Sequence, residues 1–391
     1  MRIVIVAVSS TTHLSGVTRH AANLVRCLLS RSEVSAIHLL VAPWQQVSLR
    51  EAVARSDRRF HLHAVPINSG TMARNWWYYA DLPSIAAQLQ ADIVHLAYPA
   101  PLNRRAFRCP TVVTLHDLYP YDVPTNFGFP KVLFHRLVMW QCLRAADAIA
   151  CVSDSTRHRL ASLAPQSITE KATRIYNCVE PVPSASSRSP MPNWNGEPYL
   201  LCVAQHRRNK NIALTIDVFR RLLRQREIDS SMRLVIVGVR GPETPRIHRL
   251  LQTESLNERV VLLNGIIDAE MQWLYEHCEM LLALSTVEGF GLPVAEGRMA
   301  GCRIVCSDIP TFRELGDYAN CHYVSLGEGM EERSARAILA MRVQPRGKPA
   351  GLSQLSAPVI AGEYIRLYQR LMPASAESSS AGLHQPVAGR G

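Results

Sequence analysis

A buried strand, a glycine turn and a helix start follow one another over residues 280–296, and this stretch constrains the fold most. Residues 280–284 are apolar throughout and too few for a helix, which predicts a short strand. Gly289 and Gly291 follow, where backbone N–H groups can face a ligand with no Cβ in the way. Pro293 suits the first turn of a helix because its φ is fixed and its missing N–H is no loss there. The stretch therefore predicts an anion site in an α/β protein.

Two carboxylates flank this predicted anion site. Glu288 stands at the mouth of the turn and Glu296 early in the helix, with seven residues between them. Carboxylates would repel a phosphate unless they bind other groups, and hydroxyls are the obvious candidates. The predicted ligand is anionic at one end and rich in hydroxyls at the other, which describes a nucleotide sugar. The alternative is an ordinary strand–helix turn with a solvated Glu288 and a Glu296 favoured only by the helix dipole.

Residues 288–293 read Glu-Gly-Phe-Gly-Leu-Pro, and a helix rich in small residues follows at 297–301. Here the chain resembles the retaining, GT-B-fold glycosyltransferases of family 4, also called glycosyl transferases group 1. The resemblance implies an α/β chain with two Rossmann-like, doubly wound parallel-sheet domains facing a central cleft, and a C-terminal helix that crosses back to the first domain. It also implies donor contacts at the turn, by Gly289, Phe290, Gly291 and Leu292.

The length of 391 residues exceeds a single core, so two domains are expected. Strand–helix alternation stops at a Pro- and Ser-dense stretch and restarts at residue 199, which predicts a linker. The predicted order is an acceptor domain 1–180, a linker 181–198, a donor domain 199–356, a crossover helix 357–372 and a disordered tail 373–391.

Polar residues at the predicted strand ends supply further candidates in the first domain. Gly16 lies in the loop after the first strand, where open α/β sheets place ligands. His116 and Asp117 end another buried strand, and the resemblance gives a functional role to a histidine in this context.

The second domain supplies the cations. Arg207 and Lys210 follow a strand and precede a helix, which suits a diphosphate. The resemblance implies an Arg and a Lys from this loop, and Arg207 is preferred to Arg208. It also implies nucleobase contacts at Ile266 and Ile267, sugar contacts by Glu288 and ribose contacts by Glu296.

The net charge of +11 is uneven. Residues 1–180 hold 19 Lys and Arg against 11 Asp and Glu, hence +8, and the remainder holds 24 against 21, hence +3. The basic first half can attract an anionic membrane surface or pyrophosphate, and without a nucleic-acid motif no nucleic-acid partner is expected. Lys131, Arg136 and Arg144, on a helix predicted over 127–146, and the aromatic residues 76–79 are candidate membrane contacts. The alternatives are a dispersed solvated surface and ordinary core packing.

No transmembrane helix is expected, since no run of eighteen apolar residues occurs. The ten cysteines form no CxxC pair, which favours the cytoplasm, with a peripheral position on the inner face of the plasma membrane as an extension.

The chain contains no Asp-x-Asp and no Gly-x-Gly-x-x-Gly, so neither a metal-chelating nor a dinucleotide motif is indicated. We expect metal-independent transfer of mannose or another hexose from GDP-mannose or a UDP-sugar, with no cofactor. The acceptor expected from the resemblance is a glycan or a polyprenyl-pyrophosphate-linked oligosaccharide in envelope or extracellular polysaccharide synthesis. A non-catalytic nucleotide-sugar-binding protein and a GT-B phosphorylase or epimerase are the alternatives.

Overall fold

Two parallel β-sheets, one from each half of the chain, organise the structure. It is a computed structural model that describes residues 1–11, 16–53, 57–68, 70–180, 189–192, 194–349 and 351–372. Half of the predicted linker 181–198 and all of the tail 373–391 lie outside these residues.

The strands of the first sheet are β1 Arg2–Val6, β2 Ala36–Val41, β3 Phe60–Ala64, β4 Ile93–Leu96, β5 Thr111–Leu115, β6 Ala148–Cys151 and β7 Ala172–Arg174. Those of the second are β8 Tyr199–Val203, β9 Arg233–Val237, β10 Val260–Leu263, β11 Met280–Ala283, β12 Ile304–Ser307 and β13 Cys321–Val324. Their spatial orders are β3-β2-β1-β4-β5-β6-β7 and β10-β9-β8-β11-β12-β13, with every pairing parallel.

The helices of the first half are α1 Gly16–Leu29, α2 Gln46–Val53, α3 Thr71–Trp76, α4 Leu82–Gln88, α5 Tyr119–Asp122, α6 Lys131–Ala145, α7 Asp154–Ala161 and α8 Gln166–Thr169. A π-helical turn, Trp77–Asp81, joins α3 to α4. The second half has α9 Ile212–Arg224, α10 Thr244–Thr253, α11 Asp268–His277, α12 Leu292–Met299, α13 Pro310–Arg313, α14 Met330–Arg342 and α15 Ala357–Leu371.

Both sheets reverse their strand order beside the first strand of each half, as doubly wound sheets do. The central strands β4, β5 and β6 are buried along their whole length because helices cover both faces of the sheet. This arrangement confirms the predicted pair of Rossmann-like domains. The exact domain limits drawn from the sequence stay a prediction.

The last helix, α15, packs on the first domain. Its residues Ile360, Tyr364 and Ile365 belong to the same buried cluster as β1 and α1. The hydroxyl of Tyr368 lies 2.6 Å from Nδ1 of His95 in β4. The chain thus returns to its first sheet after building the second.

Two helices begin at a different residue from the one that their sequence patterns indicate: α6 begins later and α12 begins earlier. The helix predicted over 127–146 begins at Lys131, since Pro130 disfavours the helical conformation of the residue before it. Helix α12 begins at Leu292 rather than Pro293, so Glu296 lies one turn from its start. Within the described ranges, no helix has the length and apolarity needed to cross a bilayer.

Candidate active site

The carboxyl ends of the two sheets face each other across a cleft that contains a cavity of about 900 Å³. The first domain lines it with the loop after β5, which includes Asp117 and Tyr119. The second domain lines it with Arg207 and with the loop after β11, which ends at Glu288. Strand ends are where parallel sheets place ligands, so the predicted residues occupy the expected edge.

An ion pair stands at the centre of the cleft. Nζ of Lys210 lies 2.6 Å from both carboxylate oxygens of Glu288, and the hydroxyl of Ser285 donates to the same carboxylate at 2.8 Å. The side chain of Glu288 is 9% exposed and that of Lys210 is 17% exposed. Because both charges are largely withdrawn from water, each depends on the other for compensation.

Buried Asn209 fixes the two loops that carry this pair. Its Nδ2 donates to the carbonyl of Val287 at 3.1 Å, and its own carbonyl accepts from the N–H of Thr286 at 2.8 Å. The next residue but one, Asn211, adopts a left-handed φ of 54°, which turns the chain into α9. Lys210 is therefore held over Glu288 by backbone geometry as well as by charge.

Two residues of the first domain reach the same carboxylate region. The hydroxyl of Tyr119 donates to Glu288 at 3.3 Å, and its backbone N–H donates to Asp117 at 3.0 Å. Burial raises the pKa of Asp117, while Arg207 and Lys210 act to lower it. Arg207 thus belongs to the same electrostatic cluster as Lys210 and Glu288.

His116 contributes a neutral imidazole. Its Nε2 lies 2.8 Å from the carbonyl of Ala97, so this nitrogen carries the proton and Nδ1 is an acceptor. Burial lowers the pKa of His116 to about 4. At neutral pH the side chain is therefore uncharged and suited to orienting a hydroxyl.

The glycine turn presses against the first domain. A Cβ on Gly289 would lie 1.8 Å from the backbone oxygen of His116, so no larger residue fits there. The carbonyl of Gly289 accepts from the hydroxyl of Ser153 at 2.6 Å and from that of Thr156 at 3.2 Å. Ser153 also caps α7, as its position before that helix predicts.

Helix α12 begins directly behind the ion pair. Gly291 has φ of 90°, and a Cβ there would approach the ring of Phe312 to 2.6 Å. Within the described part of the chain, the backbone N–H groups of Gly291 and Leu292 donate to no acceptor. A helix start with free donors lies where the sequence predicts an anion site.

Glu296 lies in a second, smaller cavity of about 60 Å³. The hydroxyl of Tyr275 donates to it at 2.7 Å, and the positive charge of Arg19 in α1 lines the same cavity. Arg19 also bonds Asp268, the first residue of α11, at 2.6 Å across the cleft. Burial raises the pKa of Glu296, with Arg19 and Tyr275 opposing and Asp268 reinforcing the shift.

The structure thus brings the predicted residues together in two groups. Glu288, Lys210, Arg207 and His116 lie around the glycine turn. Glu296 lies one helical turn further on, with Gly16 at the start of the helix that carries Arg19. Ile266 is partly buried and Ile267 is 62% exposed in the loop before α11.

Sequence reasoning missed the partners of these residues. Tyr119, Ser285 and Asn209 position Glu288 and Lys210, while Arg19 and Tyr275 flank Glu296. Tyr119 carried a usable signal, since it follows His116 and Asp117 at a predicted strand end. Arg19 gave none, because its bond to Asp268 spans 249 positions.

Known proteins match both halves of the chain. A family model described as Glycosyltransferase Family 4 matches residues 14–182, and one described as Glycosyl transferases group 1 matches residues 187–338. The O-antigen chain mannosyltransferase RfbU of Salmonella typhimurium is 26% identical over 203 residues, 52% of this chain and 53% of that protein. The O-antigen chain mannosyltransferase B of Escherichia coli is 24% identical over 213 residues, 52% of this chain and 54% of that protein. The chain spans about half the length of these curated relatives.

A solved structure shares the whole fold. Anabaena HepE in complex with UDP-glucose superposes with a TM-score of 0.64 at 16% identity, covering 95% of this chain and 98% of that chain. At this identity the likeness establishes a common architecture.

Proposed function

Because the chain belongs to the group 1 glycosyltransferases of family 4, we propose that it moves a hexose, with mannose favoured, from a nucleotide-diphosphate sugar to a glycan acceptor with retention of configuration. The observation that carries this proposal is the Lys210–Glu288 pair at the end of β11, in front of the free N–H groups of α12. It sets one cation and one carboxylate where a diphosphate and its sugar would meet.

The first part of the proposal concerns the leaving group. Negative charge grows on the nucleotide diphosphate as the glycosidic bond breaks, and fixed cations and helix-end donors stabilise it. Arg207, Lys210 and the N–H groups of Gly291 and Leu292 would take this role. The proposed reaction therefore uses no metal ion and no cofactor.

The second part concerns the sugar. Glu288 would accept hydrogen bonds from its hydroxyls, and neutral His116 would accept one more through Nδ1. When the diphosphate enters, Lys210 would lie between it and Glu288, so the present ion pair prepares both contacts. We propose same-face attack through an oxocarbenium-like state, with the departing diphosphate as the base. Closure of the two domains would keep water from the sugar.

The third part concerns the rest of the nucleotide. Glu296 would bind the ribose hydroxyls, Ile266 and Ile267 the base, and Gly16 with the turn Gly289–Leu292 the diphosphate. Two relatives are named as mannosyltransferases, which supports GDP-mannose. HepE is solved with UDP-glucose, which supports a UDP-sugar as the second candidate.

The acceptor is proposed as a glycan or a polyprenyl-pyrophosphate-linked oligosaccharide, because two relatives are named for the O-antigen chain. A lipid-linked acceptor presents its diphosphate at a membrane surface. The proposed location is therefore the cytoplasm, at the inner face of the plasma membrane, in envelope or extracellular polysaccharide synthesis. No nucleic acid takes part.

A thermal-shift panel of nucleotide sugars tests the donor directly, because a ligand that binds only the folded protein raises its melting temperature. We expect GDP-mannose to give the largest shift and free GDP to be released with an acceptor extract, with or without EDTA. Donor binding without release would favour the non-catalytic alternative. Phosphate-dependent turnover or epimer formation would favour the other enzyme classes, and loss of activity in EDTA that Mg²⁺ restores would overturn the metal-free mechanism.

A further inference from the structure

Large apolar side chains are exposed together on one part of the first domain. They lie on α3 and the π-turn behind it, in the turn before α6 and on the first half of α6, and include Trp76 at 68%, Phe129 at 84% and Leu137 at 67% exposure. We call this set the docking face: Met72, Trp76, Tyr79, Phe129, Leu133, Phe134 and Leu137. Scattered apolar residues are ordinary on a surface, but a concentration of this kind marks an interaction site.

The docking face is built from two helix stripes. Met72 and Trp76 lie four residues apart on α3, so they share one side of it, and Tyr79 is exposed on the π-turn that follows. Leu133 and Leu137 lie four residues apart on one side of α6, and Phe129 is exposed in the turn that leads into this helix. The opposite sides of both segments are buried in the core through Trp77, Tyr78, Met139 and Leu143. Each segment is therefore anchored on one side and apolar on its exposed side.

The two stripes are anchored in one buried cluster, which includes Trp77 and Tyr78 behind α3 and Met139 and Leu143 of α6. Partial burial lowers the pKa of His135 in α6, and Arg74 of α3 lowers it further, which places the two helices within electrostatic reach. Lys131 and Arg207 act on the same imidazole, so this end of α6 also borders the cleft. Asn126, just before α6, donates to Asn209 beside Lys210 at 2.9 Å.

Positive charge predominates around the docking face, although the π-turn ends in the exposed Asp81. The sequence has no acidic residue from 58 to 80 or from 123 to 146, and the two stretches carry six basic residues, three in each. Lys131 and Arg144 are exposed, whereas Arg136 stacks 4.5 Å over Tyr121 and donates to the carbonyl of Pro120. An exposed apolar surface with more cations than acids around it complements an anionic lipid surface.

The same charge disfavours a second copy of the chain as the occupant. A two-fold contact places the same patch against itself, and here that would oppose like charges around an apolar centre. A bilayer of anionic lipids supplies both the opposite charge and the apolar layer.

We propose that the docking face inserts its apolar side chains into the surface of an anionic bilayer and holds the cleft beside the headgroups. The inference rests on the proposed function, because it names the surface from which a lipid-linked acceptor would enter. It changes the role given to the helix charges: Lys131 and Arg144 attract the membrane, while Arg136 serves the protein's own packing.

Vesicle co-sedimentation tests this without an acceptor or turnover. Wild type is compared with a variant carrying Trp76→Ser, Phe129→Ser and Leu137→Ser, on phosphatidylcholine vesicles with and without phosphatidylglycerol. All three positions are exposed, so the melting temperature should be preserved. A matched control carries Val47→Ser and Val343→Ser, which are equally exposed but lie on other surfaces. We expect wild type and control to pellet with the anionic vesicles at low salt, and the triple variant to lose at least about tenfold in partitioning.

Brominated phosphatidylglycerol gives a second, local readout. It should quench part of the fluorescence of wild type, and Trp76→Phe should lose that part. Equal pelleting of wild type and the triple variant, or no binding of wild type, would overturn the inference. So would a dimer that the triple variant dissociates while vesicle binding persists. Thermal shifts by nucleotide sugars, measured on the same samples, separate the two proposals. If no nucleotide sugar shifts the melting temperature, the proposed function is contradicted, while the vesicle-binding result still holds.

Discussion

Glu288 and Glu296 lie at the two ends of one short turn-and-helix segment, yet the groups that compensate their negative charges differ. Glu288 has a cation of its own, with Lys210 at 2.6 Å from both oxygens and Ser285 as a further donor. Glu296 has a tyrosine hydroxyl, and it shares Arg19 with Asp268. One carboxylate is fully compensated and the other is not.

This difference separates their chemical roles. A carboxylate paired with a fixed cation holds that cation where it can stabilise negative charge that develops on the diphosphate. This suits a position beside the bond that breaks in the donor. An undercompensated carboxylate keeps acceptor positions that neutral hydroxyl donors can fill, which suits a ribose. The comparison therefore predicts that variants at the two ends fail in different steps.

The largest effect should come from Lys210→Ala. Charge develops at the diphosphate only as the bond breaks, so kcat should fall by about 10²–10³-fold, as for loss of one preorganised charge-stabilising donor. Initial rates of nucleotide release measure this, with exposed Lys348→Ala as the control. Turnover at the wild-type rate in Lys210→Ala would remove the residue from the mechanism.

The same variant leaves Glu288 without its cation, and breaking such a pair can cost about 3–5 kcal/mol of stability. Lys210→Ala combined with Glu288→Gln should recover most of the melting temperature and none of the turnover. Recovery of turnover would mean that the single variant failed through unfolding.

A smaller effect, on the affinity for nucleotide and sugar donor, should distinguish the two carboxylates. Glu296→Gln should weaken free nucleotide by about tenfold to a hundredfold, the range of a hydrogen bond to a charged group. Glu288→Gln should bind free nucleotide as wild type does and lose affinity only for the sugar donor. Calorimetric titration of both ligands decides it, and equal losses of nucleotide affinity in both variants would contradict the assignment.

The smallest effect concerns pH. Burial raises the pKa of Glu296, so its carboxylate takes up a proton at a higher pH than an ordinary glutamate as the solution is acidified. Ribose binding needs the ionised form, hence nucleotide affinity should fall through that raised pKa. Arg19 opposes the shift, so Arg19→Gln should move the fall to higher pH, whereas Arg19→Lys should not.

Nucleotide dissociation constants measured across acidic pH test this shift. Glu296→Gln supplies the baseline, because only the ligand's own titration remains in it. Identical profiles for wild type and Arg19→Gln would show that Arg19 does not control Glu296.

The parts of this site that local sequence determines were predictable. The apolar run 280–284 and the two glycines indicated a strand, a turn and a helix start, and the structure has all three. Lys210 was recognisable because it lies between a strand and a helix in a chain with few lysines. These features depend on neighbours in sequence, where propensity and spacing carry information.

The relations between the halves were not predictable from one sequence. The contact of Tyr119 with Glu288 spans 169 positions, and it depends on how far the domains rotate towards each other. The exposure of the docking face also depends on which sides of α3 and α6 the core covers. In α6 both sides are apolar, so periodicity could not assign the buried one.

Helix α15 has a consequence for how the chain is made. Protein synthesis delivers residues 1–180 long before Ala357–Leu371, yet the buried cluster around β1 and α1 includes seven residues of that last helix. Through the whole translation of the second half, the emerging first half therefore has an open apolar groove, and Nδ1 of its His95 lacks its tyrosine partner. Its final stabilisation comes only after α15 has left the exit tunnel, so the core of the first half is completed after the second half has been made. A fragment ending at residue 180 should accordingly be captured by chaperones, and supplying residues 357–372 as a separate peptide should release it.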